Sequence, residues 1–190
     1  MSQDRILQYL ESRRERLALL EAMWRDPKVQ MYNDVALPPK GGIPSVFLNG
    51  PTSRNQILEL NHRCLSVKYL RDAGFTGWIY VPEPRGLEES GDFTEKGYIH
   101  EWESRRRLSA SCSCFWIPRD GNELLGLNSN LELGIDLGKF FAGSQDQRLF
   151  IGWPDDAQRM GLPNHYRQQI GLILYRNQQV MCEQIALQVK

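Results

Sequence analysis

Three clusters of residues in this chain have types and spacing that could do chemistry together. Glu132 stands in the run Asn130-Leu131-Glu132-Leu133-Gly134, with Gly138-Lys139 shortly after. The pattern places Glu132 in the first turn of a short helix, where the helix dipole favours an ionised carboxylate. Such a carboxylate can attack an electrophilic carbon. The plainer role is a helix-start charge. Glu101 and Glu103 flank Trp102 in a second helical stretch. They could supply a proton donor and a hydroxyl acceptor, and their spacing lets one of the two face a site. The alternative is a solvated charged helix, since Arg105, Arg106 and Arg107 follow. The third cluster is Asn49-Gly50-Pro51-Thr52-Ser53-Arg54. Gly50 lets backbone approach a ligand closely. Thr52, Ser53 and the free amides of the next helix can hold an oxyanion or a sugar hydroxyl, and Arg54 can add a bidentate phosphate contact. A turn with Thr52 or Ser53 as helix cap would look the same. The run has neither the Walker spacing nor G-x-G-x-x-G.

Other chemistry is disfavoured. His62, His100 and His165 have no metal-ligand spacing and read as surface or capping residues. Cys112 and Cys114, two of four cysteines with Cys64 and Cys182, share a face of an apolar strand and read as buried or half-buried free thiols. No G-x-S-x-G elbow is present. Lys+Arg and Asp+Glu are 23 each in 190 residues, so charge gives no reason to expect nucleic acid or an anionic membrane as partner. No apolar run is long enough to span a bilayer. The charged N-terminus is not a secretory signal, and the cytoplasm is the expected compartment.

Alternating elements must position these residues. A helix is predicted from about Gln3 to Arg25, with Ile6, Leu10, Leu17, Leu20 and Trp24 on one side. A Pro/Gly-rich stretch from Pro27 to Pro44 reads as linker, so residues 1–44 look appended to a domain spanning 45–190. Strands are predicted at SVFLNG, TGWIYVPEP, SCSCFWIPR and QRLFIGWP, with helices between them. Gly74 is expected to close the first of those helices. The tail from Pro163 reads as mostly helical, with Tyr166, Ile170, Ile173, Leu174 and Met181 buried. Strands separated by helices imply an α/β fold with a parallel sheet covered on both faces. Ligands then sit beyond the carboxyl ends of the strands.

From Ser45 to Met160 the chain resembles the nucleoside 2-deoxyribosyltransferase-like family. The matching pieces are VFLNGPTSR, WIYVPEP, HEWESRRRLSASCSCFWIPR, LNSNLELGIDLGK and LFIGWPDDAQRM, in that order. The resemblance implies a flavodoxin-like parallel sheet. It implies cleavage or transfer at the N-glycosidic bond of a nucleoside, deoxynucleoside or 5′-monophosphate. By position Glu132 is the nucleophile that forms a glycosyl-enzyme. Glu103 is the first choice to assist the leaving base, with Glu101 and Asp120 behind it. Asn49, Gly50, Thr52, Ser53 and Arg54 would line the sugar or phosphate end, with Asp120, Asn130 and Gly134 among the substrate contacts. Where relatives usually carry Ala-Asp before the third of these strands, this chain has Ala110-Ser111. No metal or cofactor is required, because carboxylates and a protonated base carry the charge changes. A homo-oligomer is expected, with the terminal helices as contact surfaces. The competing expectations are a nucleotide-binding sensor without turnover and an interaction module.

Overall fold

The computed structural model describes residues 3–32, 34, 42–51, 62–85, 96–120, 126–143 and 148–190. The elements run α1 (Gln3–Arg25), β1 (Val29–Met31), β2 (Ser45–Asn49), α2 (His62–Asp72), β3 (Trp78–Val81), α3 (Lys96–Ser109), β4 (Cys112–Trp116), α4 (Leu127–Phe141), β5 (Arg148–Gly152), α5 (Gly161–Gln169), β6 (Leu174–Tyr175) and α6 (Gln178–Gln188). All strand pairs are parallel, in the order β1-β3-β2-β4-β5-β6. Without β1 this is the 2-1-3-4-5 order of flavodoxin-like sheets.

The central strands β2 and β4 are buried along their whole length, as strands covered on both faces must be. Their alternate residues divide the core. Val46, Leu48, Cys112, Cys114 and Phe150 pack with Leu20 and Met23 of α1, Cys64, Val67 and Leu70 of α2, and Met181, Cys182 and Ile185 of α6. On the other face Phe115, Leu149 and Ile151 pack with Leu133 and Leu137 of α4, and Phe47 and Tyr80 with Trp102 of α3. All four cysteines are buried thiols. No described helix is long and apolar enough to cross a membrane.

Helix α2 ends as the sequence indicates. Gly74 adopts φ +82°, and Gly74 N–H and Phe75 N–H bond back to the Arg71 and Leu70 carbonyls, closing a Schellman turn. Two other regions differ from expectation. The stretch read as linker contains β1, an edge strand whose three residues are all buried. Arg85 holds that strand by donating to the Val29 carbonyl (2.7 Å) and to Asp34 (2.8 and 2.7 Å). The tail contains β6, and Tyr166 and Ile173 are 41% and 69% exposed rather than buried. A left-handed Gly171 (φ +69°) breaks the helix at that point and resets the phase of the apolar pattern.

At the amino-terminal edge of the sheet, Ser45 N–H donates to Ser111 Oγ and Ser111 N–H to Ser45 Oγ, both at 3.1 Å. This reciprocal pair locks β2 to β4 at their starts. The position where the resemblance leads one to expect aspartate therefore serves sheet register here, at the end of the strands away from the ligand crevice.

Candidate functional site

The chain leaves β2 toward β3 on one side and enters β4 on the other. The crevice beyond the carboxyl ends of β2 and β4 is thus the topological switch point, where ligands of open α/β sheets bind. Residues from α2, α3 and α4 converge there.

Gly50, at the end of β2, has φ +146°. A Cβ at that position would clash with the Trp116 carbonyl and with His62 Nε2. The turn is gripped from α2: Arg63 Nη2 donates to the Gly50 carbonyl (2.6 Å), and Arg63 Nη1 pairs with Glu83, just after β3. We expect Gly50→Ala to cost about 3 kcal/mol through backbone strain and the clash with Trp116. Chemical denaturation checks this; a midpoint indistinguishable from wild type would contradict the role assigned to Gly50.

Glu103, on α3, is 23% exposed at its side chain, and its Oε2 lies 3.5 Å from His100 Nδ1. Burial raises its carboxyl above the ordinary glutamate value, against the opposing charges of Arg63, His100 and Arg107. Glu101 lies on the solvent side, paired with Arg105 one turn on. Of the two carboxylates flanking Trp102, Glu103 is the one brought to the crevice.

Glu132 lies on α4, which begins four residues earlier than the pattern indicated, at Leu127, behind a left-handed Gly126 without a side-chain cap. Glu132 is therefore in the second turn, beyond the reach of the helix N-terminus. Its environment opposes the ionised state that the sequence led one to expect. Burial, reinforced by the negative charge of Glu103 and by Asp136, pushes its carboxyl up to about 7, against Arg107 and Arg63. Glu103 and Glu132 thus form an interacting, partly desolvated acidic pair bracketed by two arginines.

Arg107 ties α3 to α4 behind this pair. Its Nη1 donates to the Glu132 carbonyl and to Asp136 Oδ1, both at 3.0 Å, and Lys139 Nζ reaches the same Asp136 oxygen at 3.1 Å. Arg107 and Asp136 are 7% and 4% exposed. Their partners hold the helix that carries Glu132 at a fixed height.

The remaining predicted residues divide. Asn49 is buried at the end of β2. Its Nδ2 makes a long bond to the Phe47 carbonyl (3.4 Å), and its Oδ1 has no partner among the described residues. Asn130 Oδ1 accepts from Arg119 Nη2 (2.5 Å), which clamps the start of α4 to the loop after β4. Asp120, next to Arg119 after β4, is exposed. Gly134 is two residues from Glu132, a rotation of about 200° that puts it on the outward side of α4. Thr52, Ser53 and Arg54 lie outside the described residues. His62 is buried rather than at the surface. Burial and Arg63 hold its imidazole well below its ordinary pKa, and its Nε2 has no partner among the described residues. A depression of about 320 Å³ beside Pro44, Phe75 and Val189 opens at the opposite, amino-terminal edge. It brings together no pair of acid and base. Among the described residues no group of three or more His, Cys, Asp or Glu is arranged to hold a metal ion.

Fold and site together define a flavodoxin-like α/β protein with an acidic pair at its switch point. The chain matches no protein-family model and no curated protein.

Proposed function

We propose that this protein cleaves, or transfers across, the N-glycosidic bond of a nucleoside, a deoxynucleoside or the corresponding 5′-monophosphate. The observation that carries the reading is the pair Glu132 and Glu103. Both are partly buried at the carboxyl edge of the sheet, and the charge of Glu103 acts directly on Glu132. Two carboxyl groups with interacting titrations at one crevice are the minimum equipment for a retaining glycosyl transfer. The ordered motif resemblance from Ser45 to Met160 points the same way.

The steps follow from the protonation states. Ionised Glu132 attacks C1′ of the sugar and forms a glycosyl ester. The C1′–N bond breaks, and its electron pair leaves with the base. Near neutral pH the pair holds one proton between its two carboxyls; in the tautomer that carries it on Glu103, Glu132 is ionised and Glu103 donates that proton to the departing base. Water, or the nitrogen of a second base, then attacks C1′ and gives up its proton to the Glu103 carboxylate. The ester C–O bond breaks and the Glu132 carboxylate is regenerated. Arg63 and Arg107 keep enough positive charge nearby for Glu132 to ionise near neutral pH. Asn49, Gly50, Thr52, Ser53 and Arg54 are assigned to the sugar and phosphate end, and the substrate is a small molecule.

The test is a panel of deoxynucleosides, ribonucleosides and 5′-monophosphates, each with and without a second free base. Released base and new nucleoside are read by chromatography. Acid-quenched protein is read by mass spectrometry for a glycosyl adduct on the peptide containing Glu132. Base release with that adduct supports the reading. Absence of product and adduct with every substrate removes it.

A further inference from the structure

Helix α4 is apolar on both sides. Leu133 and Leu137 face the core at 2% and 4% exposure. On the outward side Leu131 and Ile135 are 69% and 45% exposed, and Phe141, at the helix end, is 56% exposed. Gly134 and Gly138 lie on the same outward strip, and a Cβ added at either would meet nothing within 4 Å. The helix's charged residues, Glu132, Asp136 and Lys139, all fall on the flank toward Arg107 and α3 or inward. Helix α5 extends the patch with Leu162 (66% exposed) and Tyr166, whose ring meets Phe141 edge-on at 6.5 Å. These five side chains expose on the order of 600 Å² of surface, at the top of the range for the largest patch on a monomer and near the share each partner gives a standard interface. A helix with one apolar face in the core and a second apolar face exposed has that second face left to cover.

The geometry points to a second copy of this chain as the occupant, with two α4 helices packed antiparallel across a two-fold axis near Gly134 and Ile135. The face is complementary to itself. Leu131 projects and Gly138, two turns on, leaves a gap. Inverting the helix about its Gly134–Ile135 midpoint places Leu131 of each copy over Gly138 of the other. The glycines let the two backbones approach, and the absence of charge on the strip removes any desolvation cost for that approach. An isologous contact of this kind closes after two subunits. The terminal helices, which the sequence offered as contact surfaces, place Leu20, Met23, Met181, Cys182 and Ile185 in the core. The inference uses the shape of α4 alone and is independent of the role proposed for Glu132.

Sedimentation velocity on the full chain from 1 to 100 µM, as an order-of-magnitude range spanning ordinary dimer affinities, tests it without any activity assay. The expected species has twice the 22.0 kDa mass of one chain. The double variant L131R/I135D should sediment at the single-chain mass with an unchanged far-ultraviolet circular dichroism spectrum. Gly134→Cys provides a second reading that leaves the fold and the apolar side chains in place. The native cysteines are all buried, so air oxidation should link the two copies through Cys at the axis. Val180→Cys on the exposed side of α6 should not link. A wild-type monomer throughout the range overturns the proposal. So does a charged variant that stays dimeric, or a Val180→Cys protein that links as readily as Gly134→Cys.

Discussion

Glu132→Gln is expected to lower base release by about 10⁴-fold or more, the scale of losing a covalent nucleophile, and to make the protein more stable at pH 8. The two effects have one cause. The Glu132 carboxyl sits near 7 because burial and the charge of Glu103 oppose its ionisation. Its ordinary value is 4.5. A carboxyl whose pKa is raised by folding favours the native state fully below the unfolded value. That contribution is lost as pH rises through the folded value. From about 4.5 to about 7 the native protein therefore loses up to about 3 kcal/mol on this account. Glutamine keeps the shape, never ionises and does not incur the loss. At pH 8 the variant should melt up to roughly 6 to 12 °C higher for a chain of this length, and at pH 4.5 the difference should shrink toward zero. Differential scanning calorimetry at the two pH values reads it directly. A variant equally destabilised at both would mean that Glu132 is structural, and an active variant would remove it as nucleophile. Stability withheld at a charged, partly buried position is what a chemical site costs its fold.

The fold was legible where burial is continuous. The runs VFL, WIYV, CSCFW and LFIG are apolar on both faces, and no other placement satisfies them. Strands β1 and β6 escaped because three and two residues are too few to show a period. Val29–Met31 becomes a strand through distant partners: Ile79–Val81 alongside, and Arg85 reaching back to the Val29 carbonyl. Local propensity contains none of that.

The acidic pair was legible for a similar reason and incompletely. Glu132 and Glu103 stand out in apolar or aromatic surroundings, and the helix period separates Glu103 from Glu101. The residues that set their chemistry were hidden. Arg107 looked like one of three solvated arginines, although it lies one turn beyond Glu103 on the same face. That spacing was the available signal. Arg63 gave none, because its partners Gly50 and Glu83 are brought to it only by the crossing of β2, α2 and β3. The starting residue of α4 mattered most. Moving the helix start from the expected position to Leu127 takes Glu132 from the first turn to the second. Its pKa is thereby governed by burial and Glu103 rather than by the dipole.

That electrostatic control gives the second large effect. Glu103→Gln removes a like charge from beside Glu132 and a proton donor from beside the leaving base. On a substrate whose leaving group needs no proton, the first change should move the acid limb of kcat/KM, which lies near pH 7 in the wild type as Glu132 ionises, to lower pH. It should not return to an unperturbed glutamate value, because burial is the larger cause and remains. The second change should cut kcat by about 10²- to 10³-fold for natural bases, within the range of general acid catalysis. The two effects separate by leaving group. A deoxyriboside of an acidic phenol departs as an anion and needs no proton. On that substrate the variant should keep most of its kcat and still show the displaced limb. If Glu103 were only packing against α4, both substrates would slow equally. If its charge did not reach Glu132, the limb would stay near 7. Either result would break the coupling between the two carboxyls on which the glycosyl chemistry rests.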